Sequence, residues 1–299
     1  MTYPTASIAV QIDAANPGQF FACCGLLELA DRLWPERGAT GWFNPDATTF
    51  HIACDGTLKE LLTAVSEMSL TNTMSASDHA RFKELSEMKG AQRTAAMDDE
   101  KKALEKQLRE DPIVITLKGR PKLTLDWFLD DMAGGSRFKT WAGQQSVLSI
   151  ATSMKQALAA LDWTVQPPER CFESTAVGCG LPFNFDSNLG GQGSSLDVGF
   201  SFDPLAASAA TRIAMSARPM LELLAFVGLQ RCRPVELRGQ NRFHYQCWGQ
   251  PLPPILAAAA SCLQLPLPSS RMFEFRLLYR TKYLKSFLPA IPLTGDAHV

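Results

Sequence analysis

Residues 12–34, IDAANPGQFFACCGLLELADRLW, decide how this chain begins to fold. They continue from Ile8-Ala9-Val10-Gln11-Ile12, a short apolar run that predicts a strand. Asn16-Pro17 then marks a helix start. Asparagine suits the cap, and proline suits the first helical position, where its missing N–H leaves no bond unmade. Phe20, Cys23, Cys24, Leu27, Ala30 and Leu33-Trp34 recur at helical spacing and predict one buried face. Gly41-Trp42-Phe43 and Thr49–Ala53 predict two strands around the turn Asn44-Pro45-Asp46. A second amphipathic helix follows at 56–68, carried by Leu58, Leu61, Leu62, Val65 and Met68. Residues 7–68 thus read β-α-β-β-α, the opening of a split-βαβ, ferredoxin-like unit that needs one more strand to close.

The next strand pattern is Pro112–Leu117, well downstream. Between them, MDDEKKALEKQLRED at 97–111 is rich in helix formers, with i,i+4 pairs Asp98–Lys102 and Glu105–Arg109. Residues 70–111 therefore read as a charged helical insertion with flexible parts near Thr71–Ser77. The plainer alternative for most of these charges is a solvated helix face. Residues 1–69 and 112–135 form the expected split core, and 136–299 the expected C-terminal α+β part completing the fold. That part holds a helix at 146–161, an apolar helix at 217–229 and a hairpin at 235–248 turning at Gly239-Gln240-Asn241. A further helix is expected at 253–263, a strand at 271–280 and a loose tail from Leu288. The expected class is α+β.

Of the 299 residues 46% are hydrophobic and 20% charged, with a formal net charge of -1. That is the composition of a globular chain and does not by itself point to a polyanion. The distribution is less even. From Arg212 to Lys285 there are eleven lysines and arginines against three glutamates, a surplus of eight positive charges. Such a segment has a reason to meet phosphate, although arginines spread over a solvated surface give the same count. The eight cysteines form no CxxC pair, so a structural zinc site is not expected. No secretion signal or membrane-length apolar run is apparent, and the expected location is the cytoplasm, with the cysteines as small buried hydrophobes.

No catalytic constellation stands out. Of the four histidines, His51, His79, His244 and His298, only His79 and His244 are placed to serve a nucleophile–base system, and neither has a motif around it. The glycine-rich run Asn188–Ser195 lacks the lysine of a phosphate loop. Arg137-Phe138-Lys139-Thr140-Trp141-Ala142-Gly143-Gln144-Gln145 is different. Arg137, Lys139, Trp141, Gln144 and Gln145 suit phosphate contact with base stacking in a loop that enters a helix. Equally, Phe138 and Trp141 could plug the core while the cations face water. Lys118, Arg120 and Lys122 extend the same basic surface. Arg231 and Arg233 follow the apolar helix, where pairing with the helix C-terminal dipole is the competing role. Arg238 and Arg242 belong to the basic third, and Arg276, Arg280 and Lys282 alternate with aromatics in FEFRLLYRTKYLKSF. One basic strand face toward a nucleic-acid backbone has this pattern, and so has a charge-protected edge strand.

QIDAANPGQFFACCGLLELADRLW with GWF at 41–43 resembles the N-terminus of the small Csb-type protein of subtype I-G (formerly I-U) CRISPR–Cas loci. RFKTWAGQQS at 137–146, LELLAFVGLQRCRP at 221–234 and FRLLYRTKYLKSFLP at 275–289 are similar too, so the resemblance runs through most of the chain. It implies the repeat-associated (RAMP) superfamily, with an RRM/ferredoxin-like core. It implies partners of two kinds, crRNA or target DNA and other CRISPR effector subunits, with no membrane and no small-molecule substrate. In such complexes base pairing reads the target while proteins hold backbones by shape and charge. The expected function is a non-catalytic nucleic-acid-binding subunit of a type I surveillance complex, without cofactor or metal. The alternatives are a protein-only scaffold subunit and a metal-independent crRNA-processing endoribonuclease, the latter disfavoured by the scarcity of histidine.

Overall fold

A computed structural model describes residues 3–118, 122–129, 138–141, 146–159, 167–174, 176–179, 182–190, 215–237, 240–265, 267, 270–279 and 285–293. The chain is α+β, built from small antiparallel sheets and helices. The opening stretch folds as β1 (Ile8–Gln11) and α1 (Pro17–Leu33). The Asn16 side chain accepts from the Gly18 N–H, and Pro17 takes the first turn. β2 (Thr40–Phe43), β3 (Thr49–Ala53) and α2 (Leu58–Glu67) follow. A Thr57–Glu60 capping box starts α2. The sheet order is β1-β3-β2, antiparallel throughout.

One expectation fails at α1. Every residue from Pro17 to Ala30 is buried, not one face only. A helix apolar nearly all round belongs inside a protein, and here later parts of the chain cover its second side.

The strand at 112–117 does not close the first sheet. β4 (Ser69–Asn72), β5 (Ile113–Thr116) and β6 (Leu123–Leu125) make a sheet of their own, ordered β4-β5-β6. Leu70–Asn72, expected as the start of a partly flexible insertion, thus belongs with Ser69 to a strand in register with β5. Its polar SLTN wording hides the alternation. The insertion proper is the hairpin α3 (Ala76–Glu87) and α4 (Ala95–Glu110), with a small core of Met74, Leu85 and Leu104. Arg93 ties the hairpin, donating to Asp98 at 2.7 Å and to the Met88 carbonyl at 2.7 Å. Asp98 therefore serves Arg93 and not Lys102, which lies 3.3 Å from Asp99, whereas Glu105–Arg109 pairs as expected at 3.8 Å.

The remaining elements are α5 (Val147–Ala159), a tight turn at Pro168–Arg170, β7 (Val177–Cys179) and the single turn α6 (Ser187–Gly190). β8 (Met215–Ala217) pairs with β7, and α7 (Pro219–Gly228) follows. Then come β9 (Val235–Leu237), β10 (Arg242–Cys247), α8 (Pro254–Ser261), β11 (Arg271–Tyr279), β12 (Lys285–Phe287) and β13 (Ile291–Pro292). The C-terminal sheet is ordered β12-β11-β10-β9, with β13 also on β11. The expected loose tail is docked as far as residue 293. Leu293 N–H donates to Met272 O at 2.9 Å, and Ala290 N–H to Ala15 O at 2.7 Å.

The two ends of the chain share one core. Gly41 and Leu252 exchange backbone bonds of 2.9 and 3.0 Å, and Phe43 N–H donates to Trp248 O at 2.9 Å. The β2 edge is therefore stitched to the chain leaving β10. Phe20 stacks on Tyr245 at 4.3 Å, and the Tyr245 hydroxyl donates to Ala14 O at 2.6 Å. α1 crosses α7 with Gly25 and Gly228 at the contact. A Cβ on Gly25 would run into the Leu224 carbonyl, and one on Gly228 into the Phe21 carbonyl.

Candidate nucleic-acid interface

β10 and β11 pair without a bulge from Arg242↔Arg276 to Cys247↔Arg271. Alternation then sorts the side chains. Phe243, Tyr245, Phe273 and Phe275 are buried, and Tyr245 and Phe275 meet Phe20 and Phe21 of α1. Arg242, His244 and Gln246 share the opposite face with Met272, Glu274 and Arg276. His244 lies directly across from Glu274, its Nε2 3.1 Å from Oε2. Arg242 Nε is 3.6 Å from the other oxygen, Oε1. The Glu274 side chain is only 8% exposed, so one buried carboxylate serves both neighbours.

Arg276 is exposed, stands directly opposite Arg242 and has no ion-pair partner among the described residues. Like charges opposite each other on a sheet repel unless an anion sits between them. The Nε2 of Gln246, buried two residues along from His244, has no partner either. Among the described residues this face therefore holds two guanidinium groups, one imidazole and one spare amide donor against a single carboxylate.

The other expected contact residues are scattered. Lys118 is exposed and 3.3 Å from Glu67, and Lys122 is exposed. Trp141, expected to stack on bases, is 3% exposed and packs against Trp127, Phe128 and Phe183. Its ring is spent on the core, as is that of Phe138, which packs on Phe243. Of the two readings of this loop, the described aromatics take the core one. Lys139 is half-buried with its ammonium 5.7 Å from the Trp141 ring centroid, and burial lowers its pKa against the opposing pull of Glu110.

Arg231 is held by Glu28 of α1, at 2.7 Å from Nε and 3.1 Å from Nη2, and Arg32 reaches the same carboxylate at 2.7 Å. Its partner is thus a buried acid, neither phosphate nor the helix dipole alone. Burial pushes the Glu28 carboxyl up, but Arg231 and then Arg32 outweigh it and leave it below the usual range. Arg233 is half-buried, its carbonyl accepting from the Cys262 thiol at 2.7 Å. Arg120, Arg137, Gln144, Gln145, Arg238, Arg280 and Lys282 lie outside the described residues.

Two arrangements escaped the sequence reading. The His244–Glu274 contact needs the strand register, although RFH at 242–244 and EFR at 274–276 both carry a period of two. The second is a buried network where α1 and α7 begin. Asn16 donates to Asp186 at 2.7 Å, and Arg218 donates to the other Asp186 oxygen at 2.6 Å. Glu222 accepts from the Phe185 and Asp186 N–H groups at 3.2 Å. Burial and then the Asp186 charge push the Glu222 pKa up to about 8. No local motif announces a cluster assembled from residues this far apart in the chain.

Burial also raises the Cys23 and Cys24 thiols, which sit inside α1. Among the described residues no group of three or more His, Cys, Asp or Glu side chains is arranged to hold a metal ion, and no helix is long and apolar enough to cross a membrane. The chain matches no known protein-family model, no curated protein and no solved structure.

Proposed function

We propose that this chain is a non-catalytic nucleic-acid-binding subunit of a type I CRISPR surveillance complex, working in the cytoplasm beside other effector subunits. The observation that carries the binding role is Arg242 opposite Arg276 over the single carboxylate of Glu274. A phosphodiester laid between the two guanidinium groups supplies the missing negative charge, and it does so for any base sequence. The placement within a CRISPR complex rests on the sequence resemblance. The strand order β1-β3-β2 supports it as well. It is the order of three strands of a ferredoxin-like core; among the described residues no fourth strand closes the sheet, and the Pro168–Arg170 turn lies against β1, with Arg170 Nε donating to Gln11 at 3.2 Å.

The test is binding of single-stranded RNA and DNA by the full chain as salt rises. Affinity should fall with a log–log slope of about 0.7 per phosphate held. Arg242→Ala with Arg276→Ala should weaken binding about tenfold or more and lower that slope. Unchanged retention in the double variant, and in Lys139→Ala with Arg137→Ala, would favour the protein-only scaffold.

The His244–Glu274 contact supports a second reading, a metal-independent ribonuclease that processes crRNA precursors. A carboxylate that orients an imidazole is a recurrent general-base arrangement. Cleavage of labelled repeat RNA in EDTA, lost in His244→Ala, would establish it.

A further inference from the structure

We infer that His244 is the charge switch of the Arg242–Arg276 face, so that the face holds a nucleic-acid phosphate more tightly once the imidazole gains a proton. The inference rests on the nucleic-acid reading above and names how that site is regulated.

The geometry sets up a competition for one carboxylate. Glu274 offers Oε2 to His244 at 3.1 Å and Oε1 to Arg242 at the longer 3.6 Å. While the imidazole is neutral, Arg242 is the cation that balances Glu274, and Arg276 alone is left for an incoming anion. Once protonated, His244 is a nearer cation than Arg242 and is better buried, its side chain 15% exposed against 40% for Arg242. Glu274 is then satisfied from within the sheet. Arg242 is released to join Arg276, directly across the strand pair, on a shared phosphate. The charge of the group rises from one positive to two.

The groups around His244 favour this exchange. On its own strand it has Arg242, two residues before it. β11 places Glu274 opposite and Arg276 on the diagonal, and β9 places Val235 opposite. Ile291 of β13 pairs across from Glu274 on its far side. Arg233 precedes β9, and Glu236 is in register with Phe243, whose ring faces the other way. Glu274 is therefore the acid in direct contact with the imidazole. A histidine ordinarily changes charge between about pH 5 and 8, within reach of mild acidification. The buried amide nitrogen of Gln246 lies on the same face and adds a donor with no partner of its own.

The experiment is fluorescence anisotropy of a labelled 15-nucleotide oligouridine with the full chain, at pH 5.5 and pH 8.0 and constant ionic strength. Wild type should bind about tenfold more tightly at pH 5.5, with the salt slope steeper by about 0.7, the value of one further phosphate contact on a single strand. His244→Gln should bind alike at both pH values, near the wild-type affinity at pH 8.0. Glu274→Gln, which leaves Arg242 unpaired at every pH, should bind more tightly than wild type at pH 8.0. This variant keeps the test open should the histidine variant fold poorly. Oligouridine binding with the same pH dependence in His244→Gln and wild type would overturn the switch and leave the binding role standing. No wild-type binding at either pH would overturn the binding role, and the switch with it.

Discussion

Gly25 of α1 and Gly228 of α7 meet where the two helices cross, and the Leu224 and Phe21 carbonyls occupy the places their side chains would need. The approach joins the first sixth of the chain to its last third, and it is set by backbone atoms that cannot step aside. Gly25→Val and Gly228→Val should each destabilise the fold by about 3 kcal/mol, at the upper end for overpacking a tight contact. Urea unfolding would read the loss. A cost within 0.5 kcal/mol, roughly that of an ordinary surface change, would refute the close crossing.

Trp141 separates packing from recognition. Trp141→Ala should cost about 3–5 kcal/mol of stability, as for other buried aromatics. Trp141→Phe should preserve most of the packing and leave oligonucleotide affinity within about twofold. A tenfold loss of binding in the phenylalanine variant, with stability intact, would return the indole to base stacking.

Glu222 makes stability fall with pH. The folded chain keeps this proton up to about pH 8. An unfolded glutamate releases it near pH 4.3. Between those values the folded state binds the extra proton, so rising pH favours unfolding by up to about 1.4 kcal/mol per pH unit. Asp186 already has Arg218 and Asn16 as partners, which leaves Glu222 as the neutral member. Urea midpoints at pH 5, 6.5 and 8 should decline in wild type and stay level in Glu222→Gln. Parallel declines would show that Glu222 is ionised.

Glu28 acts in the opposite sense. Its folded pKa is depressed by Arg231 and Arg32 against the effect of burial. Its contribution is present above the unfolded value near pH 4.3 and is lost as pH falls through the folded one. Arg231→Ala should cost about 1 kcal/mol at pH 7, since Arg32 remains and the pair is partly exposed. The cost should shrink below pH 4. Unchanged oligonucleotide binding in the same variant would separate Arg231 from the role proposed for the Arg242–Arg276 face.

The N-terminal elements were legible because their signals are local: the Asn16-Pro17 cap, the helical spacing from Phe20 and the Asn44-Pro45-Asp46 turn. What surrounds α1 was not, because Leu224 and Tyr245 arrive from the other end of the chain. A nearly all-apolar helix was the available clue to full burial. The fate of β5 turned on Ser69–Asn72, too polar and short to read as its partner. At the site, Arg242 and Arg276 were legible as basic strand residues. Their opposition across Glu274 depends on a register that one residue of slip would reverse. Trp141 and Arg231 show the converse. Composition marks a side chain as able to bind, but only packing shows whether it is already occupied.

The stitch between Gly41 and Leu252, with Tyr245 reaching back to Ala14, also imposes an order in time. A chain made from its N-terminus produces the apolar α1 long before α7, β10 and the Leu252 segment exist to cover it. Non-local contacts of this span are slow to form, and the apolar surface exposed meanwhile invites aggregation. Within this chain α1 is thus made early and enclosed late, its cover completed only when α7, β10 and the Leu252 segment have been added.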